Sequence, residues 1–375
     1  MARVKLRAAR LTQIAVPLRA PLATAHGRIH TREGVLLELE AHGGARGFGE
    51  ALPLAGFDLE SPTHARAALA DAARQLVGSE IDSADAGLGA AARDLARAPA
   101  ARAALDAALR DLEAREIGTS LAASLGANAR ARVPTALLLG AEHADGAAAE
   151  ARRAVAAGFR VLKLKLGTNA FDADRARVAA VREAIGNEVA LRVDANGAWS
   201  EATAAAHLEA LASLDVELVE QPLASEALEA LARLRRASPV PLAADESVRD
   251  VASAERVLRF EAADVLVVKP AAVGGLGSAL SIARRAREAQ VEVLVTTFLD
   301  TAIGRAGALH LAAALPPGRH AAGLATGSLL ADDLAPGPVP KSGAIALPSD
   351  NGLGFSPDPA ALTRLTRGET LEVCA

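Results

Sequence analysis

Five ionisable residues close five apolar β-type runs: Lys165, Asp194, Glu220, Asp245 and Lys269. They are separated by steps of 29, 26, 25 and 24 residues (194−165, 220−194, 245−220, 269−245). A strand, a loop, a helix and a second loop use up about that length. The order is base, acid, acid, acid, base. Such a set suits a divalent cation held by Asp194, Glu220 and Asp245, with a lysine on either side of a bound carboxylate substrate. One acid at a strand end is more often a helix cap or a solvated loop residue. Three on consecutive barrel strands, whose ends converge, point instead to a shared ligand. Oxygen donors with no Cys or His nearby favour a hard cation, Mg²⁺ first, with Mn²⁺ as a substitute. The eight His show no metal-ligand spacing, which argues against zinc.

Lys163 and Lys165 are two apart and share one face of their strand, where Leu162, Leu164 and Leu166 must pack the other way. Two buried ammonium groups beside a cation penalise the charged form, so one lysine's pKa is expected to fall and that lysine to act as a general base. The bland alternatives are a solvated pair for Lys163 and Lys165, and a simple acid partner for Lys269. Lys269 as the Schiff-base lysine of an aldolase is an alternative from another enzyme class. Gly274-Gly-Leu-Gly277 lacks the full dinucleotide spacing and follows Lys-Pro rather than a tight phosphate turn. Trp199 reads as a packing residue. His26 and His30 lie in a loop where substrate contact and solvent exposure are equally compatible.

Composition fits an enzyme of this kind. The 375 residues suit a barrel with a second domain, and 51% apolar residues supply a large core. With 2% aromatic residues and a net charge of −4, neither base-stacking platforms nor a basic footprint for nucleic acid is present. Cys374 is the single cysteine, so the fold needs no oxidising compartment. No apolar stretch reaches the roughly 20 residues of a membrane span, and the basic N-terminus lacks the marks of a leader. The expectation is a cytoplasmic protein without membrane or nucleic-acid partners, acting on a small carboxylate. Homo-oligomerisation is left open.

Residues 3–16 and 34–41 alternate like antiparallel strands. Residues 17–27 read as too Pro- and Gly-broken for regular structure, and 62–77 and 84–115 have helical periodicity. From about residue 133, strands and helices alternate strictly. The first strand is placed at 134–140, the seventh at 291–297 and a weak eighth at 322–326. Helices are expected at 143–157, 172–185, 200–213, 225–236, 250–259, 276–289 and 303–314. Seven or eight βα units in about 200 residues fit a (β/α) barrel better than an open doubly wound sheet. The tail 343–354 is expected to rejoin the N-terminal module.

These motifs together resemble the enolase superfamily, in its muconate lactonizing subgroup. The matching segments are Lys163-Leu-Lys165, Asp194-Ala-Asn196, Glu220-Gln-Pro222, Asp245-Glu-Ser247, Lys269-Pro270, Gly274-Gly-Leu and Asn351-Gly-Leu-Gly354. The resemblance implies a (β/α)₇β TIM-like barrel (131–339) under an α+β capping domain formed by residues 1–130 and the tail 340–375. It implies Mg²⁺ on Asp194, Glu220 and Asp245, with Lys165 and Lys269 on opposite faces of the substrate α-carbon and Lys163 helping to hold the carboxylate. The shared step would be abstraction of the α-proton. Candidate substrate contacts are Asn196, Thr297, Asp300, Leu324, Thr326 and Phe57. Gly49–Phe57 and Gly323–Gly327 resemble o-succinylbenzoate synthases, which act on the route to menaquinone. The Asp-x-Asp of dipeptide epimerases is missing from 325–333, while Thr297–Asp300 and Ile303–Ala306 resemble N-acylamino acid racemases. A muconate-type cycloisomerase is a further alternative. Loops 17–32 and 47–61 are expected to close Leu22, Phe48, Leu52, Leu54 and Phe57 over an apolar substrate.

Overall fold

The computed structural model describes residues 3–24, 27–54, 60–126 and 128–375. The chain opens with three strands, β1 (Val4–Thr24), β2 (Gly27–Ala41) and β3 (Arg46–Ala51). Next come α1 (Pro62–Leu76), the short β4 (Glu80–Ile81), α2 (Ala84–Ala90), α3 (Pro99–Glu116) and α4 (Leu121–Leu125). Segment 17–24, expected to be irregular, is strand. The β1–β2 ladder absorbs Pro17 through a register shift between Pro17 and Leu22, then resumes at Leu22 opposite Ile29. The helical region 84–115 is broken over 91–98. Pro99 lacks an N–H and disfavours helix at Ala98, so the helix restarts with proline in its first turn.

The strands β1, β2 and β3 present two apolar faces. Val35, Leu37 and Leu39 pack with Leu69, Leu105 and Leu112 of the helices. Ile14, Val16, Leu36, Phe48 and Leu52 join the core that also contains the barrel. Helix α3 lies directly on β3. A Cβ on Gly47 or Gly49 would come within 2.2 Å of Ala108 O or 1.9 Å of Ala104 O, so only glycine permits that approach.

The barrel begins after β5 (Arg132–Pro134) with β6 (Leu137–Leu139). It continues as α5 (Ala144–Ala156), β7 (Val161–Lys165), α6 (Phe171–Ile185), β8 (Ala190–Asp194), α7 (Glu201–Ala212) and β9 (Val216–Glu220). Then follow α8 (Leu228–Ala237), β10 (Leu242–Ala244), α9 (Val251–Arg259), β11 (Val265–Val268), α10 (Leu276–Glu288), β12 (Glu292–Val295) and α11 (Ala302–Ala314). The sheet runs β12-β11-β10-β9-β8-β7-β6, all parallel. The eighth strand is reduced to two residues: Ala322 bridges Thr135 and Gly323 bridges Thr296, closing the ring. A 3₁₀ turn, Ala325–Leu329, takes the place of its continuation.

Leu218, Ala243, Val265, Val267 and Leu294 form a small apolar cluster. By strand alternation Leu218 shares a face with Glu220, and Val267 with Lys269, so this cluster floors the ionisable set. The tail divides. Its strand β13 (Ala344–Ala346) pairs with β5 at the barrel entrance rather than with the N-terminal sheet. Helix α12 (Pro359–Leu365) and β14 (Leu371–Cys374) follow, and only β14 joins that sheet, along β1. Among the described residues no helix is long and apolar enough to cross a membrane.

Candidate active site

Register brings the predicted residues together. Lys165 pairs with Asp194, and Asp194 with Glu220, so three chemically active side chains sit level at adjoining strand ends. Ala244 ends β10, so Asp245 and Glu246 begin the loop beyond it, and Lys269 follows β11 in the same way. One carboxylate oxygen each from Asp194, Glu220 and Asp245 lies within 4.8 Å of the others, and all three residues are buried.

The lysines divide between these acids. Lys163 Nζ lies 2.8 Å from Asp194 Oδ2 and 2.6 Å from Glu220 Oε1. Lys269 Nζ pairs with Asp245 and stands 5.1 Å from the centroid of the Phe298 ring. Lys165 has no ion-pair partner within 4 Å among the described residues, while its carbonyl accepts Arg177 Nη2 at 3.2 Å. Lys163 and Lys269 are thus each held by acids of the cluster, whereas Lys165 acts on Asp194 only through its charge at longer range.

Electrostatics show what the acids lack. Burial opposes the charge on Asp194, but Lys163 and Lys165 overcome it and hold its carboxyl well below the usual range. Glu220 goes the other way: burial and the neighbouring Asp194 push it up to about 8. Glu246 is pushed up to about 7 by burial, then by Asp245 and Asp194. The expected fall of a lysine pKa is not found at Lys163. Burial does penalise its charge, yet Asp194, Glu220 and Asp245 outweigh burial and raise it. Three desolvated carboxylates, all hard oxygen donors converging on one point, fit a divalent cation, whose charge would let Glu220 ionise fully.

A second tier of residues fixes the acids. Asn196, at φ 44°, donates its N–H to Asp194 Oδ1 at 3.0 Å and its side-chain amide to Glu246 Oε1 at 3.0 Å. Gln221 is fully buried. Its Oε1 accepts the N–H groups of Asp245 (2.9 Å) and Ser247 (3.2 Å), and its Nε2 donates to Leu223 O and Ser247 Oγ. Neither Gln221 nor Glu246 was singled out from sequence, although each directly follows a metal-site acid in a quoted motif. That adjacency was the available signal.

Residues expected to touch substrate are placed unequally. Thr297 and Thr326 meet through their hydroxyls at 2.9 Å, joining the ends of strands seven and eight. Asp300, three residues after Thr297, is buried, and its carbonyl accepts Arg305 Nη1 at 2.8 Å. Leu324 is packed into the main core. Phe57 and His26 lie outside the described residues, and His30 is exposed. Phe48, expected in the lid, is instead a core residue, with its N–H on Asp111 and the Arg46 and Arg115 guanidiniums over its ring. Leu52 and Leu54 are likewise buried. Trp199 packs edge-on to Phe171 and His207, as its packing role required.

The N-terminal sheet reaches the site through two buried side chains. Glu50 Oε1 accepts the Thr301 N–H at 2.9 Å and its other oxygen pairs with the Thr301 hydroxyl. Burial, reinforced by Asp300, pushes Glu50 to about 8. Arg32 donates to Pro53 O at 3.1 Å and Leu299 O at 3.4 Å. Both clamp the segment that carries Phe298 and Asp300.

Comparison with known proteins agrees with this geometry. The Enolase C-terminal domain-like family matches residues 146–361, and the Mandelate racemase / muconate lactonizing enzyme N-terminal domain matches residues 7–126. Muconate cycloisomerase 1-1 of Acinetobacter lwoffii is 32% identical over 362 residues, covering 95% of this chain and 94% of its own. An o-succinylbenzoate synthase of Mycolicibacterium smegmatis is 42% identical over 219 residues, 56% of this chain and 63% of its own. A dipeptide epimerase from Cytophaga hutchinsonii, solved with Mg and the dipeptide D-Ala-L-Val, superposes with a TM-score of 0.90. It is 26% identical and covers 98% of this chain and 99% of its own. With both family domains matched in order and the acids converging where a barrel enzyme binds its metal, the chain belongs to the muconate lactonizing subgroup of the enolase superfamily and is a metal-dependent enzyme.

Proposed function

We propose that this enzyme removes the proton α to a substrate carboxylate, and that the reaction is dehydration to o-succinylbenzoate. The observation that carries the first part is the placement of Lys165, without an ion-pair partner, level with Asp194 and flanked by acid-anchored Lys163 and Lys269. Asp194, Glu220 and Asp245 would hold the cation, for which we propose Mg²⁺. When bound, it supplies positive charge against the developing enolate.

The remaining work falls to side chains. Lys165 Nζ takes the α-proton as the C–H bond breaks, then returns it to the departing hydroxyl, which leaves as water. Lys269, kept as an ammonium by Asp245, faces the same carbon and stabilises negative charge. Lys163 holds the substrate carboxylate edge. Gln221 and Asn196 keep the acids oriented. We place residues 1–130 with the tail 340–375 as the capping unit and 131–339 as the catalytic barrel.

Support for the dehydration is the higher identity to the synthase across the matched stretch and the lack of an Asp-x-Asp in 325–333. The burial of Phe48 and Leu52 in the core weakens the lid argument made from sequence. A second reading, epimerisation or racemisation by two lysines, draws on the paired placement of Lys165 and Lys269 and on the epimerase likeness. The deciding assay offers the cyclohexadiene carboxylate precursor, an N-succinyl amino acid, a hydrophobic dipeptide and a muconate side by side. Dehydration of the precursor is expected. Epimerisation of the dipeptide without dehydration would replace the first reading by the second.

A further inference from the structure

The barrel has a second concave site, at the end opposite the metal-binding acids. A cleft of about 220 Å³ opens among the starts of the strands, with Val161, Val293 and Leu315 in its apolar wall. Arg130, Arg319 and His320 line it too. Val161 and Lys165 mark the two ends of β7, so this cleft lies about 13 Å along the strand from the proposed base.

Its polar groups are left incomplete. The His320 side chain is 6% exposed, its Nδ1 lies 2.9 Å from Glu292 Oε2, and its Nε2 has no partner among the described residues. Arg130 donates through Nη2 to Ala312 O, but its buried Nε is unpartnered. Behind the cleft, Arg192 donates to Glu217 and, at 2.7 Å, to the carbonyl of the lining residue Ala321; its Nη2 remains unpartnered. Buried polar atoms without partners are costly and rare, and two on lining residues with a third behind them call for a ligand. The charges give its sign. Three guanidiniums, of Arg130, Arg192 and Arg319, stand near two carboxylates, Glu217 paired with Arg192 and Glu292 with His320, leaving one positive charge in excess.

We propose that this cleft is a binding site for a small organic carboxylate, its oxygens taken by Arg130 and Arg319 and its apolar body by Val161, Val293 and Leu315. The site is separate from the catalytic centre and does not depend on the reaction proposed for it.

Calorimetric titration of the full chain with butyrate and, separately, inorganic phosphate tests this, with and without EDTA. One saturable equivalent of butyrate is expected, persisting in EDTA, because carboxylate binding at the catalytic centre needs the cation. Val293→Phe fills the cleft without altering any polar group and should abolish that binding. Arg130→Gln should weaken it about tenfold or more. Melting temperatures of both variants report folding, and Val293→Phe carries the test if Arg130→Gln does not fold. No saturable butyrate binding in the parent chain, or binding unchanged by Val293→Phe, overturns the proposal. Phosphate binding without butyrate binding overturns the carboxylate assignment, and phosphate binding that the variants retain marks an adventitious ion only.

Discussion

The side-chain oxygen of Gln221 accepts the backbone N–H of Asp245 at 2.9 Å, tying the end of one barrel strand to the metal-site acid on the next. All of its hydrogen-bonding capacity is spent on this strand junction. Gln221→Ala should therefore loosen Asp245 without unfolding the barrel. Groups that orient metal ligands typically contribute about 10- to 100-fold in metal affinity. Titration with Mg²⁺ or Mn²⁺ should show a loss of that size, with circular dichroism unchanged. Parent-like affinity would reduce Gln221 to a packing residue.

Lys163 bridges Asp194 and Glu220 and so supplies positive charge that the acids need in the metal-free protein. Removing one partner of a buried ion pair typically costs about 3 kcal/mol or more. Lys163→Met should lower the stability of EDTA-treated protein by an amount of that order. Saturating divalent metal should recover much of the loss, since the cation supplies charge at the same carboxylates. Chemical denaturation with and without metal measures both. Equal losses in the two conditions would show that Lys163 acts through packing of its stem.

Gly275 sits at φ 115°, where a Cβ would come within 2.5 Å of Asp106 Oδ2. Asp106, buried on α3, accepts the Gly277 N–H at 3.0 Å and so docks the N-terminal helices against the first turn of α10. Gly275→Ala combines left-handed strain with a clash against a fixed carboxylate, at a cost of about 1–3 kcal/mol. A drop in melting temperature, with faster proteolysis near α3, is the expected result. Unaltered stability would mean that the two elements separate without penalty.

That glycine pair shows where the sequence was and was not legible. Lys165, Asp194, Glu220, Asp245 and Lys269 could be read in advance because each ends an apolar run and parallel neighbours must bring such ends together, and Lys163 because it shares a strand face with Lys165. The docking role of Gly274–Gly277 depends on Asp106, about 170 residues earlier. No local pattern reports a contact of that range. The same holds for Glu50 with Thr301, and for Phe48, whose place in an apparent loop hid its burial under Arg115. Residues 17–24 were misread for a different reason. A long paired ladder with a bulge can absorb Pro17, whereas local propensity counts only the missing N–H.

His310 gives a prediction about acid stability. Its Nδ1 accepts the Ala122 N–H at 3.0 Å, so the neutral ring carries its proton on Nε2 and donates to Leu353 O, also at 3.0 Å. Both nitrogens are thereby committed in the neutral form, joining α11 to α4 and to the tail. Protonation of Nδ1 would set its proton against the Ala122 N–H. Burial is the main cause that lowers this histidine from 6.5 to about 4, with the Leu353 carbonyl opposing it. Between those values the unfolded chain binds a proton that the folded chain refuses, so stability falls as pH falls. The contribution is complete above about pH 6.5 and is lost on acidification towards pH 4. From pH 7 to pH 5 the expected loss from this group is about 2 kcal/mol. Urea unfolding at the two pH values, in the parent and in His310→Gln, isolates it. The variant should be less stable at pH 7 but show a pH slope shallower by about that amount. Identical slopes would assign the acid sensitivity to the buried carboxylates instead.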